Sequence, residues 1–158
     1  MKSLRNVWMA LMAFLMLSCS MSAKSNDGAE KEGESTVAKG EVVVLNKADF
    51  LTKVFDYEKN SQWVYAGEKP CIIDFYADWC GPCRQVAPIL RDLAVLYKND
   101  IIIYKVNVDQ EKELAAAFGI RSIPTILFIP KKGQPQMSMG ALPREEFVKQ
   151  IDHFLLGK

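Results

Sequence analysis

The stretch PCIIDFYA, from Pro70 to Ala77, is the feature that most restricts how this chain folds. Read as an extended segment, it carries apolar side chains on both of its faces. A strand with two apolar faces is expected in the middle of a sheet that helices cover on both sides. We therefore predict an α/β architecture with this strand inside the sheet.

The rest of the chain alternates between strand-like and helix-like patterns. Strands are predicted at 41–45, 70–77, 100–108, 125–129 and 136–140, and helices at 47–55, 82–98, 112–118 and 143–157. The last two strands flank the turn PKKGQP, which is typical of an antiparallel hairpin. The prediction is one domain, 41–158, with a mixed sheet of about five strands, parallel in its first part, and four helices on both faces.

Residues 1–19 are predicted to be a signal peptide. MKSLR is positively charged, and the apolar run that follows ends at Leu17 and is too short to span a bilayer. Residues 20–40 hold almost nothing bulky and apolar, so we expect a disordered tether.

The sequence LSCS resembles the cleavage motif of bacterial lipoproteins, with Met16 where leucine is usual. This resemblance implies that Cys19 is lipidated and anchors the protein to a membrane. The alternative is a plain signal peptide that is cut among small residues, namely Ser20, Ser22 and Ala23. Both interpretations predict a domain that is exported to the periplasm or cell envelope.

Charge gives no reason to expect nucleic-acid binding. The whole chain has a net charge of +1, and residues 41–158 hold fifteen basic and fifteen acidic residues. A neutral body with interspersed charges lacks the basic face that nucleic acids require.

Cys80 and Cys83 are separated by Gly81-Pro82, a spacing that serves redox pairs, metal sites and structural bridges. A zinc site needs a second pair of ligands, and the chain offers one histidine and two isolated cysteines. A bridge across two residues closes too short a loop to stabilise the fold much. Redox cycling fits best, because Cys80 falls where a strand ends and a helix begins, which favours its thiolate. We expect Cys80 to be the exposed nucleophile and Cys83 the more buried resolving thiol.

The stretch DFYADWCGPC resembles the active-site motif of the thioredoxin family, D-F-W-A-x-W-C-G-P-C, with Tyr76 in place of the first tryptophan. The resemblance covers about 41–158 and includes YKVNVDQ, GIRSIPT and MGALPREEF. It implies the thioredoxin fold and thiol-disulfide chemistry.

The family pattern also implies roles for two charged residues. Asp74 would be a buried carboxylate that exchanges a proton with Cys83 during resolution, although a purely structural Asp74 is the alternative. Lys105 would lie beside Asp74 and moderate its charge. Gly81 and Pro82 would set the redox direction, since family members with this dipeptide are mostly reductants.

The same resemblance implies a client-binding surface made of Trp79, Ile123, Pro124, Gly140 and Ala141. The Ile123-Pro124 peptide bond is expected to be cis and to lay its loop against the two cysteines, where a client strand pairs with the backbone.

Cys71 is interpreted as a buried, inert thiol, with a regulatory disulfide to Cys19 as the alternative. Residues 55–69 depart from the family, and their aromatic side chains either pack over the sheet or shape a partner surface.

The function predicted from these features is an extracytoplasmic protein-disulfide reductase. Its partners would be disulfide-containing client proteins and a membrane protein that supplies electrons, since reduced nicotinamide cofactors stay in the cytoplasm. We expect a monomer. We also expect no metal, flavin or nucleotide cofactor, because no motif for one appears in the sequence and there is no glycine-rich phosphate loop. The alternatives are a disulfide oxidase or isomerase on the same fold, and a non-catalytic binding module or holdase.

Overall fold

The computed structural model describes residues 40–158. The predicted signal peptide, the lipidation site Cys19 and the predicted tether up to residue 39 lie outside the described residues. Gly40 opens the described part and packs against the helix that contains Ala94 and Val95.

A five-stranded mixed sheet forms the centre of the domain, in the spatial order β1-β3-β2-β4-β5. The strands are β1 (Val42–Val44), β2 (Cys71–Tyr76), β3 (Ile102–Asn107), β4 (Thr125–Ile129) and β5 (Gln136–Met139). The first three are parallel, β4 runs antiparallel to β2, and β5 closes the sheet as a hairpin with β4. The predicted mixed sheet and its antiparallel end are confirmed.

The helices follow the predicted order. They are α1 (Lys47–Lys53), α2 (Gly81–Leu96), α3 (Lys112–Ala117) and α4 (Arg144–Lys149). Beyond α4 the chain continues as a π-helical segment, Gln150–Leu155, where a regular helix was expected. This wider turn leads into Gly157, whose φ of +66° is left-handed and strains a glycine least.

Strand β2 divides the apolar core into two layers, as its two apolar faces predict. Ile72 packs with α2 and α4 residues such as Leu90 and Phe147. Ile73 and Phe75 are also fully buried and pack on the opposite face with α1 and α3. Each such side chain contributes about 1.5–3 kcal/mol on burial, so both layers hold β2 in place.

The aromatic side chains of residues 55–69 pack over the second of these layers. The Trp63 ring lies 4.7 Å from the Phe55 ring, centroid to centroid, and Tyr57 and Tyr65 contact the same cluster. The backbone N–H of Ala66 donates to the Val54 carbonyl, which closes the segment onto the end of α1. This arrangement supports the packing interpretation of the segment.

Within residues 40–158, no helix combines the length and the apolar character needed to cross a membrane.

Candidate active site

Cys80 and Cys83 form a disulfide at the start of α2. The S–S distance is 2.02 Å and the Cα–Cα distance 5.3 Å. Cys80 is the residue that caps the helix, and its Sγ accepts a hydrogen bond from the Cys83 N–H at 3.2 Å. Gly81 and Pro82 occupy the first turn, where a proline loses no helical hydrogen bond. Both sulfurs therefore lie at the positive end of the α2 dipole, which stabilises a thiolate.

The expectation that Cys80 is the more exposed cysteine is wrong for this disulfide form. Cys80 is 3% and Cys83 4% exposed. Ala77, Ile123 and Val108 pack around the two cysteines. Residue burial does not distinguish Cys80 from Cys83 in the oxidised state.

Asp74 is buried, only 4% exposed, in the middle of β2. Its Oδ1 is buried and has no hydrogen-bond partner among the described residues. Loss of solvation raises the pKa of Asp74 to about 7, and the Lys105 ammonium opposes part of that rise. A carboxyl that titrates near neutral pH is able both to accept and to return a proton.

Lys105 is the direct neighbour of Asp74 across the parallel β2–β3 pair, as expected. The two side chains line the same two cavities, of about 290 and 350 Å³. Cys83 also lines the smaller one. Asp74 and Cys83 thus share a space with room for small solvent molecules.

The Ile123-Pro124 peptide bond is cis, as the family pattern implies. Ile123 packs against the Cys80–Cys83 cluster, and the Gly140 N–H donates to the Pro124 carbonyl at 2.8 Å. Gly140 is thereby fixed beside the cis-proline loop, and Ala141 is exposed next to it. The structure brings these four residues of the predicted client-binding surface to the region beside the two cysteines, with Pro124 itself buried.

Trp79 is 69% exposed and directly precedes Cys80. Its Nε1 donates to Asp109 Oδ2 at 2.8 Å. The Asn107 Oδ1 accepts from the Asp109 N–H, and its Nδ2 donates to Asp78 Oδ2 at 3.2 Å. This chain of hydrogen bonds holds the indole in one orientation relative to the ends of β2 and β3.

Sequence reasoning assigned no role to Asp78, Asn107 or Asp109. The signal that could have found them is their position, because all three lie at or just beyond the ends of adjacent parallel strands. Polar residues at that edge of an α/β sheet commonly belong to its functional site.

Cys71 is free and fully buried at the start of β2, as predicted. Burial raises the pKa of its thiol to about 12, so it stays protonated at neutral pH. The alternative, a disulfide to Cys19, stays a prediction, because Cys19 lies outside the described residues. Among residues 40–158, no cluster of three or more His, Cys, Asp or Glu side chains is arranged to hold a metal ion.

Comparisons with known proteins agree with this geometry. The sequence profile of the Thioredoxin family matches residues 41–153. The chain is 46% identical over 112 residues to a thioredoxin of Borreliella burgdorferi, covering 71% of this chain and 96% of that protein. It is 39% identical over 95 residues to a thioredoxin of Alicyclobacillus acidocaldarius, covering 60% and 90% of the two chains.

A solved structure also matches the fold. It is that of a mutant thioredoxin from Halobacterium salinarum, with a TM-score of 0.60 and 25% sequence identity, and the match covers 76% of this chain and 96% of that one. The disulfide at the helix start and the cis-proline loop beside it agree with the family profile and with these relatives. The chain therefore belongs to the thioredoxin family, whose members are thiol-disulfide oxidoreductases.

Proposed function

We propose that the protein is an extracytoplasmic reductase of protein disulfides. One observation carries the proposal: the Cys80–Cys83 disulfide lies at the N-terminus of α2, where Cys83 shares a cavity with the buried Asp74 carboxyl. A dithiol in this position is able to form a thiolate and to move the accompanying proton.

The first step of the cycle is attack by the Cys80 thiolate on one sulfur of a client disulfide. The client S–S bond breaks, a Cys80–client bond forms, and the second client sulfur leaves as a thiolate that takes up a proton. Cys80 is assigned this step because its Sγ accepts the Cys83 N–H and lies at the positive end of the helix.

The second step is attack by Cys83 on Cys80 Sγ. Asp74 takes the Cys83 thiol proton as the new Cys80–Cys83 bond forms, and the client sulfur bound to Cys80 leaves with the electron pair of the mixed disulfide. Two electrons have then passed from the protein to the client. Lys105 opposite Asp74 limits how basic the carboxylate becomes.

Client polypeptides are assigned to the surface around the disulfide. Trp79 offers an exposed aromatic face, and Ile123 and Pro124 offer a loop against which an extended client segment lies. Gly140 and Ala141 let the client backbone approach closely. Gly81-Pro82 between the cysteines supports the direction of reduction.

The proposal places the domain in the periplasm or cell envelope, tethered by residues 20–40 to a lipid on Cys19. A reductant there must be recharged by a membrane protein that passes electrons across the bilayer.

The lipid anchor is tested by two measurements, the incorporation of labelled fatty acid into the protein and the partition of the protein into the membrane fraction. Cys19→Ser is expected to abolish both, and a protein still in the membrane would contradict the anchor.

The function is tested by the equilibrium reduction potential of Cys80/Cys83 in the full-length chain, titrated against dithiothreitol. A reductase is expected to lie near the reference value of thioredoxins, about −270 mV. A value near about −120 mV would overturn the reductase proposal in favour of an oxidase or isomerase. A separate experiment tests the roles of the two thiols. Cys83→Ser is expected to trap the mixed disulfide between Cys80 and a client, without turnover.

The binding-module alternative is separated by a second measurement. The double variant Cys80→Ser/Cys83→Ser is expected to lose all reduction of a disulfide test protein such as insulin. If cells with this variant keep the full function of the natural protein, the redox role is wrong.

A further inference from the structure

Three side chains meet on the α2-facing side of the sheet. Asp74 and Tyr76 are two residues apart on β2, so they lie on the same face. Lys105 is paired with Asp74 across the parallel ladder. All three line the cavity of about 290 Å³ that also reaches Cys83.

The Lys105 ammonium lies over the Tyr76 ring. Its Nζ is 5.6 Å from the ring centroid, within the range of cation–π attraction. Within the described residues 40–158, Lys105 makes no ion pair shorter than 4.0 Å with any carboxylate. Asp74 is its register partner across the ladder, and Asp74 Oδ1 has no hydrogen-bond partner among the described residues. Lys105 thus lies within cation–π range of the Tyr76 ring and forms no close ion pair with Asp74.

We propose that Tyr76 is a positioning residue, whose ring draws the Lys105 ammonium away from Asp74 and so keeps Asp74 able to hold a proton at neutral pH. Without the ring, the Lys105 ammonium is free to move toward Asp74, its neighbour across the ladder, while Glu41 and Asp78 line the same two cavities as competing carboxylates. A direct ion pair with Lys105 would favour the charged carboxylate. The raised pKa of Asp74, about 7, agrees with the absence of that pair.

Other charged groups face the same carboxyl. From α2 and from the segments next to β1 and β2, the side chains that line the two cavities with Asp74 are Glu41, Asp78, Cys83, Arg84 and Arg91. None of them hydrogen-bonds to Asp74 Oδ1. Tyr76 differs from them because its ring lies under the Lys105 ammonium. Lys105 is the group that lowers the pKa of Asp74.

The test is the titration of the Asp74 carboxyl carbon, followed by NMR in the oxidised full-length protein. Tyr76→Leu is expected to lower the midpoint by roughly half a pH unit to one pH unit, since an ammonium released by the ring pairs with the acid. Tyr76→Phe and Tyr76→Trp keep an aromatic face and are expected to leave the midpoint near its original value. Thermal unfolding of each variant checks that the fold is retained, and the two aromatic variants keep the test valid if Tyr76→Leu does not fold.

The matched control is Lys105→Gln, which is expected to raise the midpoint by removing the cation. In the double variant Tyr76→Leu/Lys105→Gln, the loss of the ring should then have no further effect. If the midpoint falls as much in the glutamine background, the ring acts by excluding water from Asp74, and the proposal is wrong. A rise or no change in Tyr76→Leu, or an equal fall in Tyr76→Phe, would also overturn it.

The catalytic consequence rests on the proposed role of Asp74 as proton acceptor for Cys83. If that role holds, the pH profile of insulin reduction by Tyr76→Leu should shift in the same direction as the titration. A shifted titration with an unshifted rate profile would contradict the role of Asp74 and leave the Tyr76–Lys105 inference intact.

Discussion

A backbone hydrogen bond from the Gly140 N–H to the Pro124 carbonyl, 2.8 Å long, holds Gly140 against the cis-proline loop. Its φ of +89° lies in the left-handed region, and a Cβ added there would meet no atom within 4 Å. The need for glycine at this position is therefore conformational rather than a matter of space. The bond joins the end of β5 to the loop that lies against the sulfurs.

Gly140→Ala is expected to destabilise the fold by about 1 kcal/mol, because a Cβ is strained at this φ. It should also raise the KM for a client protein, since the strain is relieved by moving the loop beside Pro124. Denaturant unfolding and insulin reduction measure the two effects. Gly133→Ala is the control: Gly133 has a φ of +102° and equally open surroundings in the β4–β5 turn. Equal effects of both variants on KM would contradict a role for Gly140 at the client surface.

Asp74→Ala is expected to stabilise the protein increasingly as the pH rises. The pKa of Asp74 is raised from its ordinary value of 3.8 to about 7, so ionisation penalises the native state above pH 4 and fully above pH 7. Each unit by which the pKa is raised corresponds to about 1.4 kcal/mol. At pH 8 the substitution is therefore expected to raise the free energy of unfolding by about 4 kcal/mol. Urea unfolding at pH 4, 6 and 8 gives the difference between variant and parent. A difference that does not grow with pH would contradict the raised pKa.

Asp109→Ala is expected to raise the KM for client proteins a few-fold while leaving stability within about 0.5 kcal/mol. The reason is that Trp79 would lose the only side-chain acceptor of its indole N–H found among the described residues, and the exposed ring would sample other orientations. The fluorescence anisotropy of Trp79, read in a background with Trp8 and Trp63 replaced by phenylalanine, reports that mobility. Asp92→Ala removes one exposed negative charge from α2 and serves as the matched control. If Asp92→Ala raises KM equally, charge and not indole orientation is responsible.

Cys71 is expected to resist alkylation in the native protein at pH 8 and to react once the chain is unfolded. The thiol is fully buried and its pKa is raised to about 12 by that burial. Treatment with iodoacetamide followed by peptide mapping identifies which cysteine is modified. Prompt labelling of Cys71 in folded, oxidised protein would show that the start of β2 opens more readily than its burial indicates.

The sequence was sufficient to predict the strand that carries the site. Apolar residues on both sides of Asp74 required a central strand, and the Cys-x-x-Cys spacing after it required a strand-to-helix junction. These inferences succeed because they depend on local periodicity. The position of the cis bond at Pro124 came from resemblance to the family.

Other contacts could not be predicted, because they depend on which strands become neighbours. Trp79 and Asp109 are 30 residues apart and meet only because β2 and β3 are parallel neighbours in register. The position of Lys105 over Tyr76 depends on the same register. The equal burial of Cys80 and Cys83 arises from side chains of three separate segments, so no local pattern encodes it.

The central position of β2 has a mechanical consequence. It is hydrogen-bonded to β3 on one side and to β4 on the other, so freeing it means separating two ladders at once. Such a strand exchanges its amide protons only through large-scale opening of the fold. Asp74 is therefore carried by a strand that is held on both sides, whereas Cys80 and Cys83 lie in the first turn of α2, outside both ladders.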